Sequence, residues 1–131
     1  MCSGASIGGR MMAADLETSC PWVVAIVLNY GLPEVTADCV RSLQASDYPR
    51  LDLLVVDNGS KDGSVAFLQE RFPALRIIEV GENRYFAGGM NIGLTQAFDQ
   101  GANYALVLNN DTLVASDMVT RLVQVAEAQQ A

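Results

Sequence analysis

The 131-residue sequence contains no histidine. That removes the commonest general base and a frequent metal ligand, and with them Ser-His-Asp and Cys-His catalysis. Basic residues are also scarce: eight Lys and Arg stand against fifteen Asp and Glu, for a formal charge of −7. They are scattered along the chain rather than gathered into a stripe, so no nucleic acid is expected as a partner. No apolar run approaches the roughly 20 residues that cross a bilayer. The longest, Trp22 to Leu28, has the length of a strand. Cysteine is limited to Cys2, Cys20 and Cys39, an odd number without metal-ligand spacing, which reads as free thiols in a reducing, cytoplasmic setting. Met1 to Ser19 is rich in small residues, carries Asp15 and Glu17, and has no sustained apolar core, so it does not read as a secretory signal. Residues 1–21 are expected to be a loosely ordered leader, with Met11 and Met12 as alternative starts, and residues 22–131 a single domain.

What the sequence does have is hydrophobicity, 50% of its residues, arranged in alternating short and long segments. Val23 to Leu28, Leu53 to Val56, Arg76 to Val80 and Tyr104 to Leu108 read as strands. Three of them are nearly free of polar residues, as in a sheet covered on both faces. Helical spacing fills the intervals. Pro33 to Ala45 carries Val35, Cys39, Val40 and Leu43 on one face, and Asp62 to Phe72 carries Val65, Leu68 and Phe72. Phe86 to Asp99 aligns Phe86, Met90, Leu94, Ala97 and Phe98 and is closed by Gly101. A last helix after Ser116 carries Met118, Val119, Leu122, Val123 and Val125. The order β-α-β-α-β-α-β-α with short connections predicts an α/β fold, a mainly parallel sheet with helices on both faces.

In such sheets ligands bind beyond the carboxyl ends of the strands. The polar residues that fall there are Asn29-Tyr30, Asp57-Asn58-Gly59-Ser60, Asn83 in the loop before the third helix, and Asn109-Asn110-Asp111. Asp111 directly follows a buried run, where a carboxylate is costly unless something positive compensates it. A divalent cation, Mg²⁺ or Mn²⁺, suits it, since such ions bridge one or two carboxylates to substrate phosphates. Asn109, two residues earlier on the same side of an extended strand, offers an amide oxygen. An isolated N-x-D is more often an Asx-turn. Asn58-Gly59 supplies a turn and Ser60 or Asp62 a helix cap, which leaves Asp57 as a candidate acceptor for the ring N–H of a base. The glycines of FAGGMNIG cost a helix about 1 kcal/mol each, so close packing or a ligand must require them.

Taken together, LNY after the first strand, VVDNGSKDGS after the second, ENRYFAGGMNIGL across the third helix and LVLNNDT after the fourth resemble family 2 glycosyltransferases of the GT-A fold, closest to rhamnosyltransferase-like members. The resemblance covers Val23 to Val125. It implies the nucleotide-sugar-binding half of that domain: Asp57 at the base, Asn29 and Tyr30 lining the nucleoside pocket, and Asn83, Asn91, Asn109 and Asn110 around the nucleotide. Asp111 is then the ligand of a divalent metal, Mg or Mn, in a D-x-D motif whose first aspartate is replaced by Asn109. The implied partners are a nucleoside diphosphate sugar and, in the full-length protein, a saccharide or lipid-linked acceptor at the inner face of the membrane. Arg84-Tyr85 departs from relatives that carry a small residue before the aromatic, and Met90 from relatives with a polar one. The family's catalytic base follows the D-x-D motif at a distance this chain does not reach. The expectation is therefore a donor-binding fragment that leaves apolar surface exposed and self-associates.

Three other readings share the topology. A dinucleotide-dependent oxidoreductase needs a glycine fingerprint after the first strand, and Asn29-Tyr30-Gly31-Leu32-Pro33 is not one. A phosphoacceptor domain needs two acids there. A non-catalytic module binding nucleotide or protein is the remaining alternative.

Overall fold

A computed structural model describes residues 20–130. The expected leader therefore lies outside the described residues, apart from Cys20 and Pro21. Cys20 is buried, the Tyr48 hydroxyl donates to the Pro21 carbonyl at 2.5 Å, and an Arg50 guanidinium N–H donates to the Cys20 carbonyl at 3.0 Å. Cys39 is a free, buried thiol, whereas Cys20 is disulfide-bonded, which corrects the reading of all three cysteines as free.

The elements alternate as expected. Strand β1 spans Val23–Asn29, helix α1 Pro33–Gln44, β2 Leu51–Asp57, α2 Ser64–Arg71, β3 Arg76–Glu79, α3 Tyr85–Asp99, β4 Tyr104–Asn109 and α4 Met118–Gln130. All strand pairs are parallel, in the order β3-β2-β1-β4. The chain steps outward from β1 to β3 and then returns to place β4 on the other side of β1. That reversal creates the crevice at which doubly wound sheets bind ligands.

Period-two alternation divides the sheet between two cores. Ala25, Val27 and Val55 point to the face covered by Ala37, Cys39, Val40 and Leu43 of α1 and Leu68 of α2. Val24, Ile26, Leu54 and Val56 point to the other face, under Met90 and Ala97 of α3. A third cluster joins Cys20, Val23 and Tyr48 to Val119 and Val123 of α4.

The buried helical faces depart from the spacing-based ones in specific ways. In α1, Thr36 is buried and Val35 only partly so. In α3 the packed stripe is Gly89, Met90, Gly93 and Ala97, while Phe86 and Phe98 are about half exposed. The glycines explain the shift. A Cβ on Gly89 would lie 2.7 Å from Leu28 Cδ1, and one on Gly93 2.7 Å from Ile26 Cγ2 and 3.0 Å from Val56 Cγ2. Close approach of helix to sheet is what requires these two residues. In α4, Leu122 and Val125 remain exposed, as does Val107 on β4. Among the described residues, no helix is long and apolar enough to cross a membrane.

Candidate functional site

Strand register sets the carboxyl edge. Asn29 pairs with Asp57, Asp57 with Glu79, and Leu28 with Asn109, so the ends of β1, β2 and β4 finish nearly level. Asp57 and Asn109 are thus two strand spacings apart, about 10 Å.

At the β1–β2 end the side chains form a closed polar network. The Asn29 amide is buried; its Nδ2 donates to Asp57 Oδ1 at 2.8 Å and to Ser60 Oγ at 3.2 Å, and its Oδ1 accepts the Thr36 hydroxyl at 2.5 Å. Asp57, also buried, accepts the Ser60 N–H on Oδ2 at 3.1 Å. Ser60 Oγ in turn accepts the Gly31 N–H at 2.8 Å. Ser60 therefore ties the two strand ends together and does not cap α2. The N-cap of α2 is Gly63, which supplies no side-chain cap, and Asp62 Oδ1 just before it accepts both the N–H and the hydroxyl of Ser64. These bonds hold the Asp62 carboxyl below its ordinary range.

A second network, which the turn-based reading of Asn58 did not foresee, links β2 to the loop before α3. Asn58 is buried; its Nδ2 donates to Asn83 Oδ1 at 3.0 Å and to the Tyr85 carbonyl at 2.9 Å, and its Oδ1 accepts the Arg84 N–H at 2.9 Å. Asn83 Oδ1 also accepts the Tyr85 N–H at 2.8 Å. The loop is pinned from below as well, since a Cβ on Gly59 would fall 2.5 Å from the Glu82 carbonyl carbon. Leu32 and Tyr85 have left-handed backbones, φ 53° and 60°.

The β4 end is open. Asn109 and Asp111 are exposed, and neither side chain has a hydrogen bond or ion pair among the described residues. The Asn109 carbonyl accepts the Thr112 N–H at 3.2 Å and faces the Cys39 Sγ at 4.0 Å. Burial, reinforced by the Asp111 charge, pushes the Cys39 thiol up to about 11. Asn110 is drawn inward: its Nδ2 donates to Thr36 Oγ1 at 3.1 Å and lies 3.5 Å from the Gly31 carbonyl. Thr36 thereby bridges Asn29 and Asn110 across the crevice.

Of the residues singled out by sequence, Asn29, Tyr30, Asp57, Asn83, Asn109, Asn110 and Asp111 gather along this edge. Asn91 is exposed in α3 and joins neither network. Thr36 is the addition, while Asn58 and Ser60, expected at this edge as turn and cap residues, prove to be members of the two networks. Among the described residues no group of three acidic or sulfur ligands could hold a metal by itself. One free carboxylate with an amide oxygen two residues away nonetheless fits a hard cation that completes its coordination with substrate phosphate and water.

Residues 22–131 match the sequence profile of glycosyl transferase family 2. A Mycobacterium tuberculosis protein of uncharacterized activity is 33% identical over 94 residues, 72% of this chain and 32% of the relative. An N-acetylglucosaminyltransferase of a Bradyrhizobium strain is 29% identical over 112 residues, 81% of this chain and 71% of that protein. Among solved structures, a mannosyltransferase of Pyrobaculum calidifontis in complex with GDP-mannose and Mn²⁺ superposes with a TM-score of 0.70 at 28% identity, over 80% of this chain and 32% of that one. Staphylococcus aureus TarS with UDP-GlcNAc shares the fold, with a TM-score of 0.71 at 18% identity over 82% of this chain and 31% of that one. The α/β architecture is that of the GT-A glycosyltransferases. The chain spans about a third of the length of the mycobacterial relative.

Proposed function

This chain belongs to glycosyl transferase family 2, and on that footing we propose that it binds a nucleoside diphosphate sugar across the carboxyl edge of β2, β1 and β4, as the donor-binding part of an inverting transferase. The observation that carries the reading is the placement of Asp57 and of Asn109–Asp111 at the two ends of one edge, with the switch-point crevice between them. Asp57 takes the base. Its carboxylate is oriented by Asn29 and by the Ser60 N–H, leaving the second lone pair of each oxygen for a ring N–H. Asn29 and Thr36 act through Asp57 and Asn110 rather than on the ligand, since their own polar atoms are already engaged.

At the other end Asp111, assisted by Asn109, holds Mg²⁺ or Mn²⁺ against the diphosphate. The cation supplies charge neutralisation for the departing nucleoside diphosphate. Transfer also requires a base that takes the proton from an acceptor hydroxyl as that oxygen attacks the anomeric carbon. Neither Asp57 nor Asp111 fills that role, because Asp57 is buried and hydrogen-bonded and Asp111 serves the cation. Acceptor binding, to a saccharide or a lipid-linked sugar, belongs in this proposal to the full-length enzyme. The relatives' ligands, GDP-mannose and UDP-GlcNAc, support the donor class without selecting its base or sugar.

The test is the thermal midpoint of the purified chain with UDP, dTDP and GDP, each with and without Mn²⁺. A Mn²⁺-dependent rise with one nucleotide names the base. The absence of any rise removes the reading in favour of a non-catalytic module.

A further inference from the structure

Tyr85 combines three features that folding alone does not reconcile. Its backbone is left-handed, φ 60°, a conformation that glycine adopts freely and a bulky residue only at a cost. Its ring is 79% exposed, so little of that cost is offset by burying the side chain. And the conformation is enforced from beneath: the Asn58 amide grips the Tyr85 carbonyl and the Arg84 N–H, Asn83 grips the Tyr85 N–H, and the preceding loop lies directly on Gly59. A buried asparagine, the residue after Asp57, is thus committed to holding an exposed tyrosine in a strained pose. Tyr30, 58% exposed, follows Asn29, which pairs with Asp57 at the end of β1.

We propose that Tyr85 is a binding residue of the donor site, presenting its ring as a stacking face for the base of the nucleoside diphosphate. The inference rests on the nucleotide reading of the carboxyl edge. Stacking suits the position because every base has a π-face that an aromatic ring can cover, and because a backbone already fixed by hydrogen bonds loses no freedom on binding. The Asn58 clamp fixes the backbone from which the ring projects, and Asp57 supplies the hydrogen-bonding group. The strain is then the cost of placing an aromatic side chain where the local backbone favours glycine.

The experiment is equilibrium titration of UDP, GDP and dTDP with Mn²⁺, and of inorganic pyrophosphate with Mn²⁺, into the wild-type chain, Tyr85→Gly and Tyr85→Phe. For the nucleotide that the wild type binds, Tyr85→Gly should raise Kd about tenfold while Tyr85→Phe stays near wild type. Pyrophosphate, which has no base, should bind all three alike. The ligand-free Tyr85→Gly chain should melt roughly 2–6 °C higher as the strain is relieved. Equal nucleotide affinity in Tyr85→Gly, or an equal loss for pyrophosphate, would overturn the assignment while leaving the donor site standing. If the wild type binds none of the three nucleotides, the donor-site reading falls and the role of Tyr85 falls with it.

Discussion

The two ends of one sheet edge treat their polar groups in opposite ways. At the β2 end, Asp57 and Asn58 are buried, and every buried polar side-chain atom among the described residues has a partner. At the β4 end, Asn109 and Asp111 stand in solvent with their side chains unengaged. A buried polar group must be satisfied by the protein itself, whereas an exposed one can wait for an incoming ligand. The edge is therefore half pre-built and half open. In the proposed reading, the pre-built half orients what reads the base, and the open half is completed when cation and diphosphate arrive.

This contrast can be broken most forcefully at Asn58. Asn58→Ala removes three hydrogen bonds and leaves the loop over Gly59 without its clamp, so a loss of about 2–3 kcal/mol is expected from urea unfolding. A loss below about half a kcal/mol would mean the network is incidental. Gly93→Ala should come next. The added methyl meets Ile26 Cγ2 and Val56 Cγ2, both on β-branched side chains with little freedom to turn away, for roughly 1–3 kcal/mol of overpacking. That loss should appear in stability while nucleotide affinity per folded molecule is retained.

Alkaline pH probes the boundary between the halves through Cys39. Its thiol is raised from 9.0 to about 11, first by burial and then by the Asp111 charge. The folded state therefore holds this proton more tightly than the unfolded state. The corresponding stability is intact below pH 9 and is lost as the pH rises through 11, at no more than about 1.4 kcal/mol per pH unit for one proton. Tyr48, raised from 10.0 to about 12 chiefly by burial, adds a decline of the same sign from pH 10 upward. Cys39→Ala should flatten the portion between pH 9 and 10 in denaturant titrations. An unchanged slope there would contradict the assignment. The smallest expected effect on folding is that of Asp111→Ala, within about 0.5 kcal/mol, because nothing in the fold leans on that carboxylate.

Much of this architecture was legible before the fold was known, and the misses share a cause. The unbroken aliphatic run Val23 to Leu28 reads as a strand buried on both faces, and it appears within a residue or two of its expected limits. β2 begins two residues earlier than its apolar run because Leu51 and Asp52 still pair with Val23 and Val24, and Asp52 is occupied by the Trp22 indole N–H at 2.7 Å. Thr36 was recoverable: it shares a face with Cys39, Val40 and Leu43 at spacings of three and four. Asn58 was not, since an Asn-Gly pair reads locally as a turn and its burial depends on a loop 25 to 27 residues away. The glycine stripe of α3 was noticed, but choosing between packing and ligand approach needed the 2.7 Å contacts with Leu28 and Ile26.

The central claim, that Asp111 couples a cation to a nucleoside diphosphate while the β2 end is already formed, is tested most directly by calorimetric titration. UDP, dTDP and GDP would be titrated into wild type and Asp111→Ala, each with and without Mn²⁺. The account predicts that one nucleotide binds the wild type tightly only with Mn²⁺, and that Asp111→Ala, equally folded, loses the Mn²⁺-dependent gain. Binding that ignores Mn²⁺, or that Asp111→Ala retains in full, would contradict it.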